Sequence, residues 1–241
     1  MSQSQQSETK IWDSLIGIKD YIIKSLDDMA TEIQEPGMER FNQDGWVNRV
    51  WENDYIRRAH IDVVDARESK KLWMMHCCIF PKLSSDAPIF GFDVIAGERK
   101  MTGAFLDFSP TVNHQHDMIK GLKTITDALE WKRERELPDW GKAIFSGGML
   151  AAGNVQDAAE IQQVTSIAKT MFSQYTTSLS VFTQSDMWKK INDEGAVKSA
   201  QNRYAHYQKQ NPHTPRVMKS LGLNEEDVDI FVKDILFPEI V

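Results

Sequence analysis

Four ionisable side chains lie inside strand-like stretches that are otherwise apolar. They are His60 and Asp62 in AHIDVV, His76 in WMMHCCIF and Asp93 in IFGFDVIAG. A carboxylate in such surroundings loses hydration, so its pKa should rise unless a cation or a hydrogen-bond donor compensates. Each residue alone is compatible with a satisfied place in the core. Together they indicate proton-transfer chemistry, with Asp93 as a plausible proton donor.

Two of these residues should face each other across a hairpin. If the strand that ends at Phe80 pairs with the strand that starts at Ile89, residues 81–88 form the loop between them. This register sets His76 opposite Asp93, with about 4.5–5.5 Å between their Cβ atoms. A histidine that faces a carboxylate in a water-poor pocket forms a coupled proton reservoir whose pKa belongs to the pair.

The chain begins with the pattern of an amphipathic helix, because its apolar residues recur at steps of three and four. These residues are Ile11, Leu15, Ile18, Ile22, Leu26 and Met29. From about residue 46 to 151, stretches rich in β-branched and aromatic residues predict strands. They are VNRVWEN, AHIDVVDAR, KLWMMHCCIF, IFGFDVIAG, MTGAFLDFS and AIFSGGMLA, with a helix at about 117–134 before the last. Beyond Asn154 the pattern is helical, and Asn224 should cap the last helix.

This order of elements predicts an antiparallel sheet covered by helices. Both faces should be covered, because runs such as LWMMHCCIF are apolar without clean alternation. We expect one domain over residues 1–241. It should consist of a helix and lead-in at 1–45, mostly strands at 46–153 and mostly helices at 154–241.

The composition argues against several classes of protein. A formal net charge of −7 disfavours a nucleic acid as the main partner. No apolar run approaches the roughly 20 residues that cross a bilayer, and the polar start MSQSQQSETK lacks a secretory layout. We therefore expect a cytoplasmic protein that does not bind membranes. The adjacent Cys77 and Cys78 suit a reduced, inert core pair better than a disulfide.

The sequence lacks the common cofactor-binding motifs. It has no GxGxxG after a strand, no GxxxxGK followed by Ser or Thr, no HExxH and too few cysteines for an iron–sulfur cluster. Any redox chemistry must therefore use an external electron source. His114 and His116 in a polar loop are too few ligands for a metal site, so we expect no metal. Basic pairs such as Arg57–Arg58 are interpreted as solvated surface, although one of them could dock an acidic protein.

A longer block around the ionisable residues resembles a known family. The stretch from His76 to Thr111, HCCIFPKLSSDAPIFGFDVIAGERKMTGAFLDFSPT, is similar to the central block of the ferredoxin-dependent bilin reductases, with its HCxxFP, PxFGxDxVAG and xDLSPT elements. The likeness continues in RELPDWG at 135–141, HYQ at 206–208 and RVMK at 216–219, and it is greatest to the phycocyanobilin-forming members.

The resemblance implies an α/β fold, a three-layer α/β/α sandwich with a central antiparallel sheet. Biliverdin IXα would lie between the sheet and the C-terminal helices. Ferredoxin would supply single electrons and the enzyme would supply protons. The pigment would pass through radical states, with no cofactor bound to the protein itself.

The same resemblance implies roles for individual residues. His76 and Asp93 match the family's central His and Asp, which donate and relay protons to the tetrapyrrole. His60 matches a second His in their hydrogen-bond network. Arg135 and Thr102 match positions that hold propionate groups, and an Arg fork can grip a carboxylate with two hydrogen bonds.

Two departures from the family pattern bear on the product and on substrate binding. Asp62 stands where the phycocyanobilin-forming enzymes carry Glu, the residue tied to reduction of the ring D vinyl group. Asp is shorter by about 1.5 Å, and proton transfer needs heavy atoms within about 3 Å, so vinyl reduction should suffer. Asn211-Pro212-His213 replaces a segment that contains Asp in several relatives. His213 stands where relatives can carry a Lys near a propionate, so binding there should depend on pH.

The first departure favours a four-electron reduction of biliverdin to phycoerythrobilin through 15,16-dihydrobiliverdin. The phage-type phycoerythrobilin synthases resemble this pattern. The same fold could make phycocyanobilin if Asp62 or another donor reaches ring D. A bilin carrier without chemistry is a third hypothesis, which the presence of both His76 and Asp93 disfavours. We expect a monomer with ferredoxin as its protein partner.

Overall fold

The computed structural model describes residues 3–130, 136–185 and 193–241. Within them, seven strands form one sheet in which all neighbouring pairs are antiparallel. The strands are β1 (Thr31–Ile33), β2 (Trp46–Glu52), β3 (Ile56–Ala66), β4 (Leu72–Pro81), β5 (Ile89–Gly97), β6 (Met101–Ser109) and β7 (Leu150–Val155). Their order across the sheet is their order along the chain, as the short connections from β2 to β6 favour.

Helices lie on both sides of the sheet. They are α1 (Gln3–Met29), α2 (Arg67–Lys70), α3 (Asp117–Asp127), α4 (Asp139–Lys142), α5 (Ala158–Ser185), α6 (Glu194–Gln208), α7 (His213–Ser220) and α8 (Glu225–Ile230). α8 continues directly as a π-helix over Phe231–Leu236, and a short 3-10 helix lies at Met38–Phe41. None of the helices in the described ranges is long and apolar enough to cross a membrane.

The sheet separates two apolar cores. α1, α3 and α5 pack against one face, and α6, α7, α8 and the π-helix pack against the other. Because successive side chains of a strand point to opposite faces, each central strand contributes to both cores. Thus the free thiol of Cys77 lies in the first core and that of Cys78 in the second. The three-layer α/β/α sandwich with a central antiparallel sheet is confirmed.

Both ends of the chain fold as their patterns predict. In α1 the periodic residues from Ile11 to Leu26 are buried, while Met29 at the last position is only half-buried. Asn224 caps α8, since its Oδ1 accepts a hydrogen bond from the Asp227 amide at 2.9 Å. Local spacing and capping are therefore sufficient to locate these helices.

Residues 143–149 do not form the strand that AIFSGGMLA predicts. β7 begins only at Leu150, and the helix expected beyond Asn154 begins at Ala158. The segment turns instead around the buried Asp107, whose carboxylate accepts hydrogen bonds from the Ser146 amide at 3.0 Å and the Ser146 hydroxyl at 2.5 Å. A carboxylate on β6 thus fixes a loop that β-propensity does not reveal.

Two other predictions from sequence differ from the structure, and one strand was not predicted at all. The helix expected over 117–134 ends at Asp127, and residues 131–134 lie outside the described residues. The short strand β1 was not predicted, because its three residues, TEI, are too few to show the alternation typical of a strand. They are mostly exposed. Arg58, interpreted as solvated, is buried, forms an ion pair with Glu35 at 2.6 Å and donates to the Ile235 carbonyl at 2.7 Å.

Candidate active site

Asp62, His76 and Asp93 form a row across three adjacent strands. Asp62 on β3 stands opposite His76 on β4, and His76 stands opposite Asp93 on β5. The predicted pairing of His76 with Asp93 is therefore confirmed, and the same register adds Asp62 to it. All three side chains lie on the face of the sheet that α6, α7 and the π-helix cover.

His76 and Asp93 form a tight pair. Nδ1 of His76 lies 2.5 Å from Oδ1 of Asp93, and the His side chain is 8% exposed while the Asp side chain is 37% exposed. Burial by itself lowers the pKa of His76, but the charge of Asp93 and the hydrogen bond to it outweigh burial and raise that pKa to about 10. At neutral pH His76 is therefore an imidazolium that donates its Nδ1 proton to the Asp93 side chain, and that side chain reaches the pocket.

Asp62 is the carboxylate that the core encloses. Its side chain is 1% exposed, and its Oδ1 accepts a hydrogen bond of 2.6 Å from the indole Nε1 of Trp46. Burial raises the pKa of Asp62 to about 6, although the Trp46 donor opposes this. Oδ2 of Asp62 has no partner in the part of the chain that the structure describes. The expectation of an elevated carboxylate pKa therefore applies to Asp62.

His60 lies beside the row and contacts His76, with 6.2 Å between the ring centroids. The Asn48 amide donates from Nδ2 to the Phe41 carbonyl, so its Oδ1 accepts from Nε2 of His60 at 3.1 Å. Burial, together with the charges of Arg58 and His76, lowers the pKa of His60 well below its usual value. His60 is therefore a neutral imidazole with a fixed tautomer.

A mostly apolar pocket opens above the row. It encloses about 970 Å³ including the part open to solvent, which suits a large organic ligand. The sheet contributes one wall, with Asp62, Met74, His76, Asp93, Ile95, Gly103 and Phe105. The opposite wall comes from later segments, with Glu136, Leu137, Pro138, Trp140, Phe145, Gln208, Asn211, His213, Thr214, Val217, Leu236 and Phe237.

The structure brings some of the predicted binding residues to this pocket. Asn211 and His213 line it, on the wall opposite the sheet. Thr102 is not among the lining residues, and its hydroxyl donates to the Ile95 carbonyl at 3.1 Å. Arg135 lies outside the described residues, although the next residue, Glu136, lines the pocket. The propionate-binding roles of Thr102 and Arg135 stay predictions.

Two contacts at the site carry no signal in the sequence. Phe237 packs edge-on against His76, with 5.3 Å between the ring centroids, and closes the pocket from the end of the π-helix. Trp46 supplies the hydrogen bond to Asp62 from the first residue of β2. Both contacts depend on how distant segments pack, which periodicity does not encode.

A metal centre has no support within the described ranges, where no group of three or more His, Cys, Asp or Glu could hold an ion. His116, considered as a ligand from its sequence, is buried and caps α3, because its Nδ1 accepts from the Met118 amide at 3.2 Å.

Comparison with known proteins agrees with this geometry. Phycocyanobilin:ferredoxin oxidoreductase from Synechococcus elongatus is 34% identical over 106 residues, which cover 43% of this chain and 41% of the relative. The same enzyme from Prochlorococcus marinus is 35% identical over 97 residues, which cover 40% of this chain and 39% of the relative. The chain thus aligns with about two fifths of the length of these curated relatives.

Solved structures align over nearly the whole chain. A structure named PcyX is 38% identical, with a TM-score of 0.69, and the alignment covers 94% of this chain and 99% of that one. Phytochromobilin synthase from tomato, solved with biliverdin, has a TM-score of 0.66 over 92% of this chain and 82% of its own, and at 17% identity it supports the fold alone. The family model for ferredoxin-dependent bilin reductases matches residues 6–238. The chain therefore belongs to the ferredoxin-dependent bilin reductase family.

Proposed function

We propose that this protein reduces biliverdin IXα with electrons from ferredoxin, and that it forms phycoerythrobilin through 15,16-dihydrobiliverdin. The observation that carries the proposal is the row of Asp62, His76 and Asp93 at the sheet wall of a mostly apolar pocket, which encloses about 970 Å³ including the part open to solvent. Such a pocket accommodates the large apolar ring system of a pigment, and the row supplies the protons that each reduction step consumes.

The His76–Asp93 pair acts as the proton donor. Saturating one double bond of the pigment takes two electrons, which ferredoxin delivers singly, and two protons. Asp93 is the member of the pair that reaches the substrate, because its side chain is 37% exposed. His76 passes its Nδ1 proton to Asp93 along the 2.5 Å contact, Asp93 delivers that proton to the pigment, and the pair takes up another proton from solvent before the next transfer.

Substrate binding divides between apolar and polar groups. Phe105, Phe145 and Phe237 line the pocket and exclude water from the pigment. Asn211 and His213 lie on the wall opposite the sheet, where they can contact the polar edge of a tetrapyrrole. Arg135 and Thr102 are proposed to bind the propionates, the former with two hydrogen bonds.

Asp62 favours phycoerythrobilin over phycocyanobilin as the product. Reduction of the ring D vinyl group requires a proton donor within about 3 Å, and an Asp reaches less far than a Glu by about 1.5 Å. The carboxylate of Asp62 is also held by the Trp46 indole. If Asp62 nevertheless serves ring D, the product is phycocyanobilin, which is the alternative within the same fold.

An oxygen-free reaction of the protein with biliverdin, ferredoxin and a reducing system tests the proposal. Chromatographic identification of phycoerythrobilin, with transient 15,16-dihydrobiliverdin, is the expected result. Phycocyanobilin as the main product would contradict the assigned product but not the reductase activity. A carrier would shift the biliverdin spectrum once and then leave it unchanged, which would refute the enzyme function.

A further inference from the structure

We propose that Trp46 is a positioning residue that sets the product by holding the Asp62 carboxylate toward β2 and away from His76. The inference rests on the proposed function, since the product is a reduced bilin. Trp46 does not line the pocket, so it acts through Asp62 and not on the substrate.

The sheet register places the indole on one side of Asp62. β3 lies between β2 and β4, and Asp62 stands opposite Asn48 on β2 and opposite His76 on β4. Trp46 belongs to β2 and donates from Nε1 to Oδ1 of Asp62 at 2.6 Å. The hydrogen bond therefore draws one oxygen toward β2, on the side opposite His76, and leaves Oδ2 as the oxygen without a partner in the described residues.

The indole itself has little freedom to move. Trp46 is 2% exposed and packs against Phe231 of the π-helix, with 5.0 Å between the ring centroids, and against Phe41 at 6.0 Å. Gly45 has a φ of 74°, and a Cβ there would lie 2.6 Å from the Asp65 carbonyl oxygen. This close approach fixes the start of β2 on β3, so Trp46 is held at a set position relative to Asp62.

Among the groups around Asp62, Trp46 is the hydrogen-bond donor that restrains its carboxylate. His76 on β4 favours the ionised carboxylate and Asp93 on β5 disfavours it. On β3 the neighbouring titratable groups are His60 and Arg58, while β2 faces Asp62 with Trp46 and Asn48, neither of which titrates. The π-helix contributes Phe231 to this cluster.

Both effects of the hydrogen bond oppose proton donation to ring D. A donor that binds the ionised form lowers the pKa of Asp62, so less of it carries a proton to donate at neutral pH, and a fixed Oδ1 prevents the side chain from turning toward β4. Losing one hydrogen bond to a charged group should raise the pKa of Asp62 by about one, which is a tenfold change in proton affinity.

The test compares Trp46→Phe with Trp51→Phe. Trp51 is a matched control, because it lies on the same strand, is 0% exposed and also donates from Nε1 to a carboxylate, that of Asp27 at 3.0 Å. Trp51 faces the opposite core, away from the pocket. A general effect of losing a buried indole should therefore appear equally in both variants.

Two readouts separate positioning from folding. In the protein without substrate, infrared titration of the carboxylic acid band that Asp62→Asn removes should give a pKa about one higher in Trp46→Phe and unchanged in Trp51→Phe. In turnover with ferredoxin, the phycocyanobilin fraction should rise by up to about tenfold in Trp46→Phe alone. An unchanged pKa, an equal change in both variants or an unchanged product ratio would overturn the inference.

The inference can also be tested in the unaltered chain. If Trp46→Phe does not fold, the indole ¹H–¹⁵N resonance of Trp46 should shift with the ionisation of Asp62, and Asp62→Asn should abolish that shift. If the chemical shift of the Trp46 indole does not change as Asp62 ionises, the inference is overturned. A chain that never reduces biliverdin would refute the proposed function instead, while the titration would still show whether Trp46 holds Asp62.

Discussion

From β3 to β6, the two faces of the sheet differ in chemistry although the same strands build both. On the face toward α1 and α5, the buried side chains are apolar, as in Ile61, Cys77 and Phe92. The opposite face carries Asp62 and His76, one residue away from them along the chain, with polar atoms that lack a partner among the described residues. Burial of apolar surface stabilises the first face. The second face carries buried ionisable groups, which lower the stability of the fold but which the proposed chemistry requires.

Asp93→Asn should produce the largest effect, on the pocket face. The variant cannot pass a proton from His76 to the pigment, so kcat should fall by about 10²–10⁴ while biliverdin still binds. Oxygen-free turnover and absorbance titration of biliverdin would measure the two properties. Asp117→Asn, at a side chain that is 98% exposed on α3, is the control. Full activity of Asp93→Asn would contradict the assigned role.

Leu15→Ala should show the complementary behaviour on the apolar face. Leu15 is 0% exposed in the core between α1 and the sheet. Its truncation should lower the free energy of unfolding by about 2–5 kcal/mol, measured by urea denaturation. The identity of the bilin product should not change. A changed product would show that the two faces are not independent.

Asp62→Asn should make the pocket face more stable at alkaline pH. Burial raises the pKa of Asp62 from 3.8 to about 6. The contribution of this raised pKa to the free energy of unfolding is complete below pH 3.8, the value in the unfolded chain. It is lost as the pH rises through 6, the value in the folded protein, because Asp62 then becomes a buried charge. Between pH 4 and pH 8, the free energy of unfolding of the variant should therefore rise by up to about 3 kcal/mol relative to that of the unaltered protein. Denaturant unfolding at both pH values measures this, and a gain that is larger at pH 4 would contradict it.

His213→Lys should have the smallest effect, at the wall opposite the sheet. A lysine remains charged where a histidine titrates, so biliverdin should bind more tightly at pH 8 by about 1 kcal/mol or less. Binding measured at pH 6 and pH 8 should depend less on pH in the variant than in the unaltered protein. An unchanged pH dependence would mean that His213 does not contact a propionate.

The sequence alone predicts those parts of the molecule that depend on local patterns. The pairing of His76 with Asp93 follows from one hairpin and its alternation, so the register could be derived. The loop at 143–149 could not, because it depends on the buried Asp107 of another strand. Phe237 and Trp46 reach the site only through the packing of the π-helix and the start of β2. The single domain, the monomeric state and the cytoplasmic location stay predictions.

The order of the strands also determines how the site can assemble during folding. Because β3, β4 and β5 are consecutive in the chain and adjacent in the sheet, two successive hairpins bring Asp62, His76 and Asp93 together. Such local contacts form sooner than contacts between distant segments. The opposite wall includes residues of α6, α7 and the π-helix, which the ribosome synthesises after all seven strands. We therefore expect the ionisable row to form in water and to lose its hydration only when the C-terminal segments pack over it.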